Sequence, residues 1–421
     1  MPSKLAAPRG TQDLIPPVSG RWQELEARIH ALARCYGYGE IRTPIFESTE
    51  LFVRGVGETS DIVEKEMYTF LDKSERSMTL RPEWTAPVMR AALQHGLFTE
   101  GARRLYYLGP IFRYERPQAG RYRQSHQFGT ECAGFSEPEA DAEVISLAWD
   151  LLQEYKVGGV TLHLNSIGDE NCRPQYRDAL RAHFAPHRES LSADSQRRLE
   201  RNTLRVLDSK APEDQPFVAN APQFESFLCA DCRAHFEGVK RVLEAMSVPY
   251  TIDPRIVRGL DYYTRTVFEF VSGALSAQNT ICAGGRYDGL VGSLGGPDVP
   301  AVGFALGLER FLTAVETAGA NEEARREGVQ AIAIGSPALQ ELLPLVAALR
   351  RRGTPVFIDY GDRKLLAQLK VADRNTARYA LILGEKELAA KQIVLRDLVT
   401  RMDRTLPFGK DTLDALGEMR E

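Results

Sequence analysis

The chain has 421 residues, 43% hydrophobic and 26% charged, which is enough for roughly two to four domains with buried cores. Its net charge of −4 excludes a protein coated throughout with basic surface, and the absence of an apolar run of about 18 residues argues against a membrane-spanning helix. The start of the chain lacks the apolar core of a signal peptide, and six scattered cysteines do not form a disulfide framework. We therefore expect a cytoplasmic protein with no membrane association.

The N-terminal third alternates helix and strand patterns. Apolar residues at helical spacing predict a helix over 19–35, and the extended segment 39–47 contains a proline, which favours an edge strand. Residues 104–115 and 126–133 predict two antiparallel strands joined by a long polar loop. A helix with one apolar face is predicted over 139–156. This order is typical of a sheet covered by helices.

The rest of the chain divides into an insertion and a separate module. Charged helical patterns dominate from about 172 to 240, which predicts a mostly helical insertion, and strand patterns resume after it. The polar segment 319–328 predicts a linker. Strands and helices then alternate, as in a small α/β unit with a parallel sheet, and this part has net positive charge. We expect one domain over 1–325, containing the insertion, and a second over 329–421.

The predicted hairpin carries an unusual concentration of charge. Six arginines and a single acid, Glu115, lie within residues 103–123. Arg113 shares strand parity with Glu115, and Gln127 shares it with Glu131, so each pair faces one side of its strand. Arginine forks suit phosphate oxygens, and carboxylates suit an ammonium group. The hairpin therefore predicts a ligand-binding sheet surface, and a solvated hairpin with scattered charge is the alternative.

Three further clusters combine glycine with polar residues. Residues 79–85 place Glu83 directly after a proline, and the segment 258–263 is followed by paired glycines within 283–289 that would let backbone approach a ligand. Two glycines four residues apart predict a tightly packed helix over 303–312. The chain has neither a Rossmann fingerprint nor a phosphate-binding loop ending in Gly-Lys-Ser/Thr.

Together these clusters resemble the class II aminoacyl-tRNA synthetases. The hairpin is similar to motif 2, residues 303–310 to motif 3, and the first helix with its proline-containing strand to motif 1. The segments 258–263 and 283–288 resemble the two signatures of the histidyl-tRNA synthetase family, and the resemblance covers almost the whole chain. It implies an α/β fold: an α+β catalytic domain with an antiparallel sheet and a mostly helical insertion, followed by a small C-terminal α/β anticodon-binding domain.

The resemblance also implies the activity. The family activates L-histidine with ATP to histidyl adenylate and transfers histidine to the 3′ end of histidine tRNA. ATP is a substrate, Mg²⁺ bridges the departing pyrophosphate, and motif 1 builds a homodimer. The cationic C-terminal domain would contact the anticodon. The expected partners are therefore histidine tRNA, L-histidine, ATP and a second copy of the chain.

Residue roles follow from the same resemblance. Arg113 and Arg258 are the expected catalytic residues at the α-phosphate. Arg116 and Gln118 would contact the acceptor end of the tRNA, where histidine tRNA has an extra 5′ guanosine. The expected histidine-binding residues are Glu83, Thr85, Arg113, Gln127, Glu131, Arg258, Tyr262 and Tyr263. The expected ATP-binding residues are Arg113, Glu115, Arg121 and Arg310.

Two features stand apart from this pattern. Trp84 occupies a position where the family usually has glycine, and we expect its indole to point into the core. Cys229, Cys232 and His235 have the spacing of half a zinc site, but a second ligand pair at the usual spacing is missing. No metal-binding residue is therefore assigned, and the two cysteines are interpreted as partly buried thiols.

Three other functions compete with a histidine–tRNA ligase. The synthetase-like regulatory subunit of ATP phosphoribosyltransferase generally lacks the C-terminal module and an intact set of arginines, both of which this chain has. A class II synthetase for another amino acid is disfavoured by the segment 258–263. A non-catalytic tRNA-binding adaptor is opposed by the completeness of the site.

Overall fold

The protein divides into two compact units, Met1–Ala320 and Asn321–Glu421, in the computed structural model. Among the residues it describes, no helix combines the length and the apolar character needed to cross a bilayer. The described residues are 5–57, 60–116, 120–256, 262–273, 275, 279–319, 326–361, 363–409 and 412–414.

Two sheets form the framework of the first unit. The larger has eight strands in the order β1-β5-β6-β11-β10-β9-β7-β8, and the smaller has three in the order β2-β4-β3. Pairing in the large sheet is antiparallel except at its two edges, β1–β5 and β7–β8. The strands are β1 (Gly39–Glu40), β2 (Phe46–Ser48), β3 (Tyr68–Leu71), β4 (Ser77–Leu80), β5 (Arg103–Phe112), β6 (Gln124–Ala133), β7 (Val160–Ser166), β8 (Thr251–Ile252), β9 (Thr264–Ser272), β10 (Thr280–Arg286) and β11 (Ala301–Gly307).

Ten α-helices are described in this unit. They are α1 (Val18–Cys35), α2 (Thr49–Val56), α3 (Thr85–Gln94), α4 (Pro138–Glu154), α5 (Arg173–Phe184), α6 (Ala193–Arg201), α7 (Gln215–Ala219), α8 (Ala230–Ala245), α9 (Leu290–Ser293) and α10 (Leu308–Thr317). A π-helical turn spans Ile62–Glu66, and short 3-10 segments span Leu97–Glu100, Ala185–Ser190, Thr203–Asp208 and Phe224–Phe227.

One face of the large sheet is sealed by helices α1, α4, α8 and α10. Their apolar stripes, such as Trp22 of α1 and Leu147 of α4, pack in one cluster with Phe128, Phe268 and Phe304 from the strands. Apolar residues at helical spacing bury one stripe in this way, which confirms the helices predicted near both motif 1 and the hairpin. Any ligand site on the sheet must therefore lie on its other face.

Small side chains on the second face of the sheet leave space above part of it. In adjacent strands, Gly129 pairs with Ala305 and Ala305 pairs with Ala283. One step along, Glu131 pairs with Gly303. Ala283 and Ala305 leave an open floor over β10 and β11, where larger residues would fill the space above the sheet. On β6 the space is taken by Tyr107, whose hydroxyl oxygen lies 2.2 Å from where a Cβ of Gly129 would stand.

The segment predicted as a glycine-spaced helix over 303–312 is a strand followed by a helix. Strand β11 ends at Gly307, and α10 begins at Leu308. A Cβ atom on Gly303 would lie 2.0 Å from Oε2 of Glu131 and 2.3 Å from the carbonyl oxygen of Thr130. The glycine therefore lets two strands and a carboxylate approach one another, and the helical prediction was wrong over 303–307 and confirmed over 308–312.

The insertion packs around aromatic residues that are continuous with the core beside the pocket. Every residue from 172 to 240 is described, with the exception of the Arg201 side chain, and none lies in a strand. Tyr176, Phe184 and Phe224 are buried together, and the Tyr176 and Phe224 rings lie 4.3 Å apart. The four α-helices α5–α8 and three 3-10 segments agree with the helical pattern of this stretch.

The second unit is a five-stranded sheet with three described helices. The strand order is β13-β12-β14-β15-β16; β12 pairs parallel with β13 and β14, and the remaining pairs are antiparallel. The alternation of strands and helices up to β14 was predicted, and the last two antiparallel strands were not. The elements are β12 (Val329–Ala333), α11 (Ser336–Arg351), β13 (Val356–Ile358), α12 (Leu365–Arg374), β14 (Tyr379–Leu383), α13 (Glu385–Ala389), β15 (Gln392–Asp397) and β16 (Asp403–Pro407).

Candidate active site

A pocket of about 330 Å³ lies over the open floor of the large sheet. Its volume is within the range of small-molecule sites. Most of the residues predicted for the site line it: Glu83, Thr85, Arg113, Glu115, Arg121, Gln127, Tyr262, Tyr263 and Arg310. Arg116 is exposed outside this lining, whereas Gln118 and Arg258 lie outside the described residues.

Glu83 stands at the beginning of α3 and binds its first backbone amides. Oε2 accepts a hydrogen bond from the amide of Thr85 at 2.7 Å, and Oε1 accepts one from Ala86 at 3.0 Å. Burial raises the pKa of Glu83 to about 7, although these amides and nearby Arg113 act in the opposite direction. Glu83 is thus a helix-capping carboxyl whose charge responds to what binds beside it.

Glu131 lies one layer beneath the pocket wall. Its Oε1 accepts a hydrogen bond from the hydroxyl of Thr85 at 2.7 Å, and its Oε2 accepts one from the hydroxyl of Tyr287. The side chain is 1% exposed, and burial, reinforced by the nearby carboxylate of Glu83, raises its pKa to about 8. Two neighbouring carboxyls in a dry wall make this end of the pocket suited to a cationic group.

Three arginines lie close to one another in the same pocket and form what we call its arginine end, and one of them, Arg113, also lies near Glu83. Arg113 donates from Nε to the carbonyl oxygen of Pro82 at 2.8 Å, and Nε of Arg121 lies 3.0 Å from Oε2 of Glu115. Arg310 donates to the carbonyl oxygens of Gly120 and Thr280, both at 3.1 Å. Burial lowers the pKa of Arg310, and the nearby Arg121 guanidinium lowers it further. A concentration of partly buried positive charge suits a polyanion such as a chain of phosphates.

Four tyrosines form part of the pocket wall. Tyr107, Tyr262, Tyr263 and Tyr287 all line the pocket, and the rings of Tyr262 and Tyr263 lie 4.9 Å apart. A Cβ atom on Gly285 would lie 2.8 Å from Cδ1 of Tyr263. Gly285 therefore makes room for a side chain of the wall, where the sequence predicted room for an approaching ligand.

The arginine that follows the paired glycines serves the fold. Arg286 is fully buried and forms an ion pair with Asp141 of α4, with Nε 3.1 Å from Oδ2. It also donates to the carbonyl oxygen of Phe135 at 2.9 Å. This arginine fastens β10 to the helix on the far face of the sheet.

Trp84 is buried beside the pocket, as its position predicted. Its indole is 2% exposed and stacks on Tyr107 with ring centres 4.8 Å apart. The guanidinium carbon of Arg81 lies 3.4 Å from the centre of the same indole. The indole therefore supports the pocket wall from behind, between a cation and a tyrosine.

Several lining residues were not predicted from the sequence. Both carboxylate oxygens of Glu309 accept the amide of His126 at 3.0 Å, which joins α10 to the start of β6. Thr280 supplies a carbonyl to Arg310, and Lys210 reaches the pocket from a loop of the insertion. A lysine in a charged helical stretch carries no local signal of such a contact, because the fold alone brings it there.

Two family models match the two parts of the chain, and similar proteins cover nearly its whole length. A family model described as histidyl-tRNA synthetase matches residues 10–311, and one described as an anticodon binding domain matches residues 329–411. The chain is 51% identical to a histidine–tRNA ligase of Desulfitobacterium hafniense over 93% of each chain, and 48% identical to one of Moorella thermoacetica over 98% of each. A crystal structure of apo S. aureus histidyl-tRNA synthetase superposes with a TM-score of 0.81 at 37% identity, covering 99% of each chain.

The contact between Gly303 and Glu131 predicts a steep penalty for any side chain at this position. We expect Gly303→Ala to lower the free energy of unfolding by about 3 kcal/mol, because the obstructing atoms include a backbone carbonyl that cannot swing away. Gly307→Ala is the matched control on the same strand, since its Cβ would meet nothing within 4 Å. Urea unfolding of the two variants measures the difference, and equal midpoints would contradict the packing argument.

The raised pKa values of Glu83 and Glu131 predict a dependence of stability on pH. Both carboxyls hold protons more tightly in the folded state than at the usual value of 4.5, so their contribution is complete below about pH 4.5 and is lost as pH rises through about 7 and 8. The free energy of unfolding of the wild type should therefore fall between pH 5 and 8. Glu131→Gln should reduce that fall by a few kcal/mol. Exposed Glu24→Gln on α1 is the control, and an identical slope in both variants would exclude this linkage.

Proposed function

The chain belongs to the histidyl-tRNA synthetase family, and from that premise we propose how its pocket activates histidine and passes it to tRNA. Its activity is that of a histidine–tRNA ligase, with ATP as a substrate. The observation that carries the assignment of roles is a single pocket lined by the buried carboxyl of Glu83 and by three arginines. We call the part around Glu83 its carboxyl end and the part around Arg121 and Arg310 its arginine end. An amino acid and a triphosphate present the complementary charges.

The carboxyl end is proposed to hold the amino acid. Glu83, with Thr85 beside it, receives the α-ammonium group, and binding of that cation favours the ionised carboxylate. Gln127, Tyr262 and Tyr263 surround the imidazole, with Glu131 fixing the wall behind them. A pocket that hydrogen-bonds an imidazole rejects apolar side chains of similar size, because its own polar groups would be left unpaired.

The arginine end is proposed to hold ATP. Arg113 binds the α-phosphate and the histidine carboxylate, Arg121 and Arg310 bind the β- and γ-phosphates, and Glu115 lies on the adenine side. Arg258 is assigned to the α-phosphate opposite Arg113. Fixed guanidinium groups at both sides would stabilise charge that develops in the transition state.

Mg²⁺ is proposed to accompany ATP. It takes hard oxygen ligands, usually one or two carboxylates together with substrate phosphates. Glu115 is already paired with Arg121, and both oxygens of Glu309 accept the His126 amide, so the substrate phosphates rather than a free carboxylate would supply most of the ligands. When bound, the ion would neutralise charge on the pyrophosphate.

The reaction then proceeds in two balanced displacements. A histidine carboxylate oxygen attacks the α-phosphorus in line, the bond to the bridging oxygen breaks, and pyrophosphate leaves. The terminal hydroxyl of tRNA attacks the carbonyl carbon of the adenylate, loses its proton and releases AMP. Positioning and charge stabilisation supply most of the catalysis in such phosphoryl chemistry.

Recognition of tRNA and dimer formation involve other surfaces. We propose that Arg116 and Gln118 contact the acceptor end and that residues 329–421 bind the anticodon. The small sheet exposes Phe46, Phe70 and Leu71, an apolar surface that supports a homodimer through motif 1. A cytoplasmic location is proposed because the six cysteines are scattered along the sequence without the pattern of a disulfide framework.

ATP–pyrophosphate exchange tests the assigned activity. We expect exchange with L-histidine and none above background with the other nineteen amino acids, because only an imidazole matches the polar wall. Exchange driven by a different amino acid would overturn the specificity while leaving the class intact. Its complete absence in folded protein would favour the regulatory-subunit alternative.

Variants of two arginines separate activation from transfer. Arg258→Ala should reduce histidine-dependent exchange by about 100-fold or more, with histidine affinity by calorimetry changed far less, because its proposed role lies in the transition state. Arg116→Ala should leave exchange intact and slow tRNA charging by about 10-fold.

Arg181→Ala, which removes a half-exposed arginine of α5, is the control for both assays and should behave as wild type. Equal losses of exchange and histidine affinity in Arg258→Ala would contradict its role. Loss of exchange in Arg116→Ala would contradict the assignment of that residue to tRNA.

A further inference from the structure

Three cysteines and an aspartate from two distant parts of the chain meet at the base of the helical insertion. Asp169, Cys172, Cys229 and Cys232 each offer one ligand atom, and these four atoms all lie within 4.8 Å of one another. The sequence showed only the pair Cys229 and Cys232. Asp169 and Cys172, which are also separated by two residues, form the second pair of candidate ligands. The fold brings them to Cys229 and Cys232, although 56 residues lie between Cys172 and Cys229.

We propose that this cluster is a structural zinc site with three thiolate ligands and one carboxylate ligand. Zinc in structural sites is tetrahedral, with Zn–S bonds of about 2.3 Å that place ligand atoms about 3.8 Å apart. The observed separations are at most about an ångström wider, so rotation of side chains closes the site. A soft, sulfur-rich tetrahedral set favours zinc over magnesium or calcium.

The backbone on both sides is shaped for ligands. Gly168 has a φ of +56°, and a Cβ atom there would lie 2.7 Å from Cβ of Cys172, so the turn can hold Asp169 and Cys172 close together only with glycine before them. On the other side, Cys229 precedes the 16-residue helix α8 and Cys232 lies in its first turn. The amide of Cys229 donates to Sγ of Cys172 at 3.1 Å, and the amide of Cys232 donates to Sγ of Cys229 at 3.5 Å. Amide donors of this kind stabilise thiolate charge.

Burial and nearby positive charge also favour a zinc ion whose ligands carry more negative charge than the ion neutralises. Cys172 and Cys232 are 1% and 0% exposed, whereas Asp169 and Cys229 are partly buried, so two of the three sulfur ligands are shielded from solvent. Three thiolates and a carboxylate leave net negative charge around Zn²⁺. The guanidinium of Arg265, 3.8 Å from Asp169, and the positive end of α8 oppose that charge.

His235, the third residue of the original pattern, belongs to a different contact. Its Nε2 lies 3.3 Å from Oδ1 of Asp141, which is the partner of Arg286. The turn of α8 that follows Cys232 therefore carries this histidine towards α4. Asp169 takes its place as the fourth ligand.

The site would join the beginning of the insertion to its end. Asp169 and Cys172 directly precede α5, and Cys229 and Cys232 open α8, with the remaining insertion helices between them. Arg173, the residue after Cys172, donates to the carbonyl oxygen of Tyr263 in the pocket wall. A metal at this point would hold the neck of the insertion closed next to the pocket.

The test is the metal content of the full chain, purified under reducing conditions without chelator from cells supplied with zinc. We expect about one zinc per chain in wild type and in Cys35→Ser, which removes an exposed thiol of α1, and little in Cys229→Ser. Cobalt added to metal-free protein should give thiolate-to-metal absorption and the strong visible bands of a tetrahedral site. Chelator should lower the midpoint of thermal unfolding in wild type and in the control.

A second variant keeps the test decisive if Cys229→Ser does not fold. Asp169→Cys should retain one zinc per chain and strengthen the thiolate-to-cobalt absorption, because it supplies a fourth sulfur. Metal-free protein with six titratable thiols and no cobalt spectrum would overturn the proposal. A disulfide between Cys229 and Cys232 in protein isolated under reducing conditions, or equal zinc in Cys229→Ser and wild type, would do so as well.

Discussion

The pocket depends on one contact, in which the buried carboxyl of Glu131 packs against strand β11 at Gly303, a residue without a side chain. Glu131 lies where a Cβ of Gly303 would stand, and its oxygens bind the hydroxyls of Thr85 and Tyr287. One residue therefore links the sheet, the beginning of α3 and the tyrosine wall. Since the Thr85 amide also binds Glu83, the position of the second carboxyl follows from the first. The desolvation cost of this arrangement is visible in the raised pKa values of both groups.

Local periodicity correctly predicted the elements whose pattern of apolar residues fits either a helix or a strand, but not both. Strands and helices alternate in the second unit up to β14, as the pattern predicted, and the hairpin of β5 and β6 lies where alternation placed it. The prediction of a helix over 303–307 was wrong because a spacing of four residues fits both one turn of a helix and one face of a strand. Small residues at 303, 305 and 307 satisfy both, and only the neighbouring strands decide between them.

The polar residues of the pocket were found through motifs, whereas their partners depended on the fold. The sequence marked the segment containing Arg286 without showing that its side chain would cross to Asp141 on the other face of the sheet. It gave no sign of Lys210, which enters from the insertion, because that contact spans separate elements. The same limit hid Asp169 and Cys172 as companions of the C-x-x-C pair: spacing rules describe neighbours along the chain, and this cluster is assembled by the closure of a long insertion.

The indole of Trp84 gives the pocket an intrinsic optical label. The chain has three tryptophans, and Trp84 alone among them lines the pocket, in stacking contact with Tyr107. Indole emission depends on the polarity and charge around the ring, and here the ring lies between a guanidinium and an aromatic side chain that faces the ligand space. Occupation of the pocket should therefore change the native fluorescence of this chain.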